Sequence, residues 1–271
     1  MIVQLKRLFT QSLLVSALFY SFTAAAEHNN VEPLAGKWQI KRVCVNTQQT
    51  MRPSILMNDP TLVGRTLSFT ANNITGEPLL NQGCEQPVLK AQTEITLNKL
   101  LASTIGAESS KDLSNNYSLE LQGTDKVTPV FVQCGKGMLG PKGEATDNWL
   151  VKLDKQTILT NWDDNTLLAL QKLPADAPAA PSFNCQKAVT TTEKAICASF
   201  DLASWDHSVN DAWQMAVHQI KNTGVDVTAK LAALKSEQQR WLIERNACKG
   251  EQRCIKQQMV TRVTDLVESA K

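Results

Sequence analysis

Two hydrophobic periods divide the chain. Between residues 27 and 172 apolar positions come in short alternating runs separated by Gly, Asp and Asn, the two-residue period of half-buried strands. Lys37 to Val45 is predicted as a strand opened by Gly36, and Val63 to Thr70 as a second, ahead of the polar turn Ala71-Asn72-Asn73. Leu97, Leu100 and Leu101 are spaced for a helix over Thr96 to Ser103. A meander is predicted next. Tyr117 to Leu121 and Val127 to Val132 flank Gly123-Thr124-Asp125-Lys126, and Trp149 to Leu153 and Thr157 to Thr160 flank Asp154-Lys155-Gln156. Thr166 to Leu170 follows Asp163-Asp164-Asn165. Short strands joined by such turns imply an antiparallel sheet curled into a small barrel.

Residues 173–182 break this pattern. Pro174, Pro178 and Pro181 stand among small residues and can neither continue a strand nor start a long helix, so the stretch reads as a linker. From residue 183 the period is helical. Thr190-Thr191-Thr192-Glu193 matches a capping box, which starts a short helix ending near Cys197. Ser199 can cap a second helix with Leu202, Trp205, Val209, Trp213, Ala216 and Ile220 inward, stopped by Gly224. Asp226 can cap a third that ends near Gly250, and the fourth runs from Glu251 to Ala270 with Ile255, Met259, Val263 and Leu266 buried. The expected fold class is α+β: an N-terminal antiparallel sheet or small barrel over 27–172, and a C-terminal helical hairpin bundle over 183–271 stapled by disulfides.

On the third helix Leu231, Leu234, Gln238, Trp241, Arg245 and Cys248 fall within about a 100° stripe. Gln238 and Arg245 need partners there, because an unpaired charge or amide is costly to bury. Asp206, about 40° from Leu202 on the second helix, is the natural partner of Arg245. The pair either fixes helix register or presents a polar patch; the flanking Trp241 and Cys248 favour the first reading, and Gln238 shares the ambiguity.

Residues 1–26 have the make-up of a secretory signal peptide: Lys6 and Arg7, the apolar run Leu8 to Phe22, and Ala24-Ala25-Ala26 before Glu27. The run is too short for a spanning helix, and no Cys follows it to carry a lipid anchor. Without this segment the chain holds 26 basic and 26 acidic residues. That balance excludes the basic excess of a nucleic-acid binder. Export to an oxidising compartment makes disulfides the default state of the seven cysteines. Cys248 and Cys254 close the corner between the third and fourth helices, and Cys185 and Cys197 tie the start of the module to the end of its first helix. Zinc is disfavoured, since there is no C-x-x-C pair and His28, His207 and His218 do not cluster with cysteine.

Phe183-Asn184-Cys185, Glu193-Lys194-Ala195-Ile196-Cys197, Leu202, Asp206, Gln238-x-x-Trp241-Leu242-x-x-Arg245-Asn246-Ala247-Cys248 and Cys254 together resemble the LprI-type lysozyme-inhibitor domain. This is a small four-cysteine helical module of bacterial envelope proteins, and the likeness covers residues 183–271. It implies a periplasmic or secreted protein whose partner is a lysozyme or another envelope protein, and, as in some members, blocked muramidase activity. The chain departs from the family in lacking a lipobox cysteine and in carrying Asn246 where Asp is expected. Gly36-Lys37-Trp38 at the head of the first strand is similar to the lipocalin opening and implies a barrel.

In the β region Cys84 and Cys134 are the preferred pair, each bordering a strand, which leaves Cys44 as a buried free thiol. A Cys44 bridge to either one, or to another chain, is the alternative. Trp205, Trp213 and Trp241 have core spacing. Gly135-Lys136-Gly137-Met138-Leu139-Gly140 matches G-x-G-x-x-G, but Pro141 and Gly143 prevent the helix that a dinucleotide site requires, so a loop is expected. No nucleophile has a base and an orienting group in sequence reach, and Asp163-Asp164 read as turn formers. The reading is therefore a non-enzymatic envelope binding protein without cofactor or metal, occluding a lysozyme cleft. The alternative is a barrel that carries a small apolar ligand, with the helical module docking it.

Overall fold

The computed structural model describes residues 34–48, 54–79, 82–106, 112–140 and 148–271. The predicted signal peptide and its cleavage point near Ala26 lie outside them. Among the described residues there are eleven strands: β1 (Gly36–Val45), β2 (Thr66–Phe69), β3 (Asn73–Gly76), β4 (Cys84–Glu85), β5 (Val88–Ala91), β6 (Ile95–Thr96), β7 (Lys126–Val127), β8 (Pro129–Gln133), β9 (Asn148–Lys152), β10 (Thr157–Trp162) and β11 (Thr166–Lys172). Nine of them form one antiparallel sheet in the order β4-β3-β2-β1-β11-β10-β9-β8-β5, while β6 and β7 pair separately. Asp164 and Asn165, at φ 59° and 52°, turn β10 into β11, the left-handed two-residue corner that suits the twist of a hairpin.

The sheet is curled. Its end strands β4 and β5 are consecutive in the chain, and the Cys84–Cys134 disulfide ties β4 to the segment leaving β8. Beside the bridge the Glu85 amide donates to Lys136 O (2.8 Å) and the Gly135 amide donates to Glu85 O (2.8 Å). Here the glycine motif finds its use. Gly137 has φ +75° and passes so close to the Gly83 carbonyl that a Cβ would collide with it. The motif lets two backbones touch; the residues that would follow it as a phosphate-binding helix, 141–147, lie outside the described ones.

Inside the curl Trp38, Ile40, Phe69, Ile158, Trp162 and Leu168 fill the space. On the opposite face Cys44, Trp149, Leu159 and Leu167 pack under α1 (Leu97–Ile105) and α2 (Leu113–Asn116). Strands buried on both faces carry continuous apolar runs such as Leu167-Leu168-Ala169-Leu170. Cys44 is a free, buried thiol, and burial holds its pKa above the usual value.

Three predicted strands change. Val63 to Arg65 belong to a turn, because the Leu62 and Val63 amides both donate to Asp59 O. Tyr117 to Leu121 is not a strand: the Asp112 side chain caps α2, Tyr117 ends it, and Ser118 at φ 51° redirects the chain. Val127 to Val132 divides into β7 and β8 at Pro129, which has no N–H for a ladder.

The helical region contains α3 (Thr191–Cys197), α4 (Phe200–Thr223), α5 (Val227–Asn246) and α6 (Gln252–Ser269). Thr190 and Glu193 form the capping box of α3, the Ser199 side chain caps α4, and Gly224 ends it at φ 65°. Asp226 stands at the N-cap of α5 but makes no side-chain cap bond. The core joins Leu202, Trp205, Val209, Trp241, Ile255, Met259 and Val263. Disulfides link Cys185 to Cys197 and Cys248 to Cys254, at separations of 12 and 6 residues. Loops of that size correspond to roughly 3 and 2 kcal/mol of unfolded-state constraint, a large share of a small module's stability.

Candidate functional site

The β and helical regions meet along a polar seam on α4. Ser204 and Ser208 are one turn apart on its face. Ser204 Oγ donates to Gly64 O (2.8 Å) and Ser208 Oγ to Val63 O (3.3 Å). Arg65, only 2% exposed, donates from Nη2 to both hydroxyls at 2.9 and 3.0 Å and lies 3.5 Å over the Trp205 ring. The indole N–H of Trp205 donates to Glu77 (3.3 Å). Lys256 then bridges Glu77 (3.0 Å) and Asp201 (2.9 Å). Burial pulls the Arg65 pKa down to about 10, against the upward pull of Glu77 and Asp201, so the group stays charged at neutral pH. Hydroxyl acceptors and an aromatic face are what make this buried cation tolerable. Beside the seam, Leu173, Pro178, Phe200 and His207 border a groove of about 430 Å3.

Asp206 and Arg245 do meet, both buried, with Asp206 Oδ1 3.7 Å from Arg245 Nη1. The other Asp206 oxygen accepts from the Ser182 amide (2.8 Å) and hydroxyl (2.6 Å), so the same carboxylate also pins the segment ahead of α3 to α4. Arg245 further donates to Asn246 Oδ1 and lies 5.3 Å from the Trp241 ring centre. Burial draws its pKa down, opposed by Asp206 and Glu193. Gln238 lies apart from this pair: its Oε1 accepts from Arg262 Nε at 2.9 Å on α6. Trp205 and Trp241 are buried and Trp213 is half-buried. These polar groups are turned into the packing of the helices.

The helical region turns apolar side chains outward at two places: Val225, 58% exposed, at the α4–α5 turn, and others towards the stapled α5–α6 corner. The Thr192 hydroxyl donates to Asn246 O (3.3 Å), and the Thr191 carbonyl is 3.5 Å from where a Gly250 Cβ would stand, so the start of α3 abuts the α5–α6 corner. The Cys248–Cys254 disulfide closes this corner, and the Cys185–Cys197 disulfide holds the far end of α3. Lys249 sits exposed at that corner with φ 50°, a left-handed backbone held between Cys248 and Gly250. Val189, before α3, is 80% exposed, and Ile243, one turn before the end of α5, is 72% exposed. Sequence periodicity passes over Val189 and Ile243, because exposure of a single apolar residue has no period. The one available signal is Ile243's place opposite the Arg245 stripe.

Among the described residues no group of three or more His, Cys, Asp and Glu could hold a metal ion, and no helix is long and apolar enough to cross a membrane. His218 pairs with Asn222 (3.1 Å) on the exposed side of α4. The architecture is thus an α+β protein in which a curled sheet backs a disulfide-stapled helical module. Residues 184–266, the helical region, match the family model described as Lysozyme inhibitor LprI. No curated protein and no solved structure matches the chain.

Proposed function

We propose that this is an extracytoplasmic binding protein that inhibits a lysozyme by steric occlusion, performing no chemistry of its own. The observation that carries the reading is the match of residues 184–266 to the lysozyme-inhibitor family, in a module whose four cysteines form two disulfides. Disulfides suit a compartment outside the cytosol. The contact surface is assigned to the stapled corner, where Val189 and Ile243 offer apolar anchors and Lys249 a cation. Lysozyme-type clefts carry two catalytic carboxylates, to which a rigidly held ammonium is complementary. The Cys248–Cys254 bridge and the Thr192–Asn246 contact hold the corner in one shape, which lowers the ordering cost of binding. Occupation of the barrel by a carried ligand is disfavoured by the side chains that fill the curl.

A turbidity assay on cell-wall suspensions tests the reading. Excess purified protein is expected to slow lysis by at least one lysozyme type, and the Lys249→Glu variant to be weaker. Unchanged lysis with several lysozyme types would remove the inhibitor assignment.

A further inference from the structure

The outer face of the sheet is incompletely covered. In β1 the register against β11 shifts between Ile40 and Arg42, which brings Lys41 and Arg42 to the edge of that face. Arg42 Nη2 donates to Ser118 O (2.9 Å) and its Nη1 pairs with Glu120 (3.0 Å), so residues 119–121 are held above the strands. Between that segment and the sheet lies an open groove of about 510 Å3. Its floor is Cys44, Leu159 and Ala169, and Leu119, Leu121 and Leu153 form its sides. The three leucines and Ala169 pack against the buried cluster under α1 while remaining only partly covered.

The charges at the mouth do not cancel. Glu120 answers Arg42, whereas exposed Lys41 has no carboxylate within 4.0 Å among the described residues. A groove with an apolar wall, a size within the range of small-ligand sites and one uncompensated cation at its rim selects a ligand with an apolar body and one negative end.

We propose that this groove binds a free single-chain amphiphilic carboxylate of the fatty-acid type, its chain along Leu119, Leu121 and Ala169 and its carboxylate at Lys41. The site is separate from the stapled helical corner and from the filled interior of the curl, so it is independent of the inhibitor reading.

Calorimetric titration of the whole protein with dodecanoate, below its micellar concentration, tests the assignment beside dodecyltrimethylammonium, which has the same chain and the opposite charge. Saturable one-site binding of dodecanoate is expected, about ten-fold tighter than that of the cation. Lys41→Glu should abolish or reverse this preference, and Ala169→Trp, which fills the floor, should remove binding of both. Lys41 is exposed, so its variant tests the charge even where the tryptophan disturbs folding. Absence of saturable binding, equal affinity for the two head groups, or a Lys41→Glu protein that still prefers dodecanoate would overturn the proposal.

Discussion

A substitution at Gly64 tests whether the two regions are locked by the seam. Gly64 has φ +88°, and a Cβ there would overlap Ser204 Oγ. Gly64→Ala therefore carries two costs. Holding an alanine in the left-handed region costs about 1–2 kcal/mol. Ser204 must also swing aside, giving up its bond to Gly64 O and its share of the Arg65 guanidinium, for roughly 1–3 kcal/mol more. Ser204→Ala alone loses the same two bonds, about 1–2 kcal/mol, since Gln39 Nε2 still donates to Gly64 O and Ser208 still accepts from Arg65. In the double variant no hydroxyl remains to displace, and only the backbone cost is added to that of Ser204→Ala. The pair should be non-additive, the double variant being more stable than the sum of singles by about 1–3 kcal/mol, the cost of displacing the hydroxyl. Urea unfolding followed by tryptophan fluorescence measures all four proteins. Gly64→Ala should also split the transition, because the β and helical regions would no longer unfold together. Additive losses with a single transition in every variant would refute the seam as the coupling element.

Two further outcomes follow from the helical module. Asp206→Asn leaves Arg245 buried without its counter-charge and weakens the acceptor that holds the Ser182 amide and hydroxyl; a loss of roughly 3–5 kcal/mol in urea unfolding is expected, and a loss within about 0.5 kcal/mol of zero would show the pair to be incidental. Glu193 accepts from the Thr190 and Val189 amides, which hold its carboxyl below the usual glutamate range. A folded pKa below the unfolded one gives stability that is complete above about 4.5 and is lost as pH falls through the folded value. Glu193→Gln keeps the cap but cannot titrate, so unfolding midpoints measured between about pH 5 and pH 2 should fall less steeply than in the parent; parallel curves would contradict the role given to this carboxylate.

Much of the helical architecture was legible because its signals are local. Thr190, Glu193, Ser199 and Gly224 act on backbone groups within a turn of themselves, and the core stripe of α4 follows the helical period. The sheet was legible as alternation and turns, but its short strands β3 to β6 were not, since runs of two to four residues have no measurable period. Tyr117 to Leu121 misled because alternation was counted while the capping power of Asp112 was not. For the site, periodicity told which side chains are covered and left open what covers them. Trp205 has the spacing of a core residue, yet its covering group is Arg65, whose hydroxyl partner on α4 is 139 residues away. Gln238 lies on the right stripe, but its partner is Arg262 on α6 rather than the Asp206–Arg245 pair.

That distribution of polar groups bears on where a partner can bind. Arg65, Arg245 and Arg262 are buried and hydrogen-bonded within the protein. A partner that drew on any of them would have to break an internal bond and desolvate the group again. Recognition is cheaper at groups that have no internal role and cannot collapse away from the partner. Lys249 meets both conditions: its side chain is exposed, and its backbone is confined in a loop that the Cys248–Cys254 bridge closes. Reduction of that bridge should consequently weaken the proposed inhibition of lysis before it unfolds the protein, since the corner depends on the six-residue loop while α4 and α6 are held by the apolar core of Leu202, Ile255, Met259 and Val263.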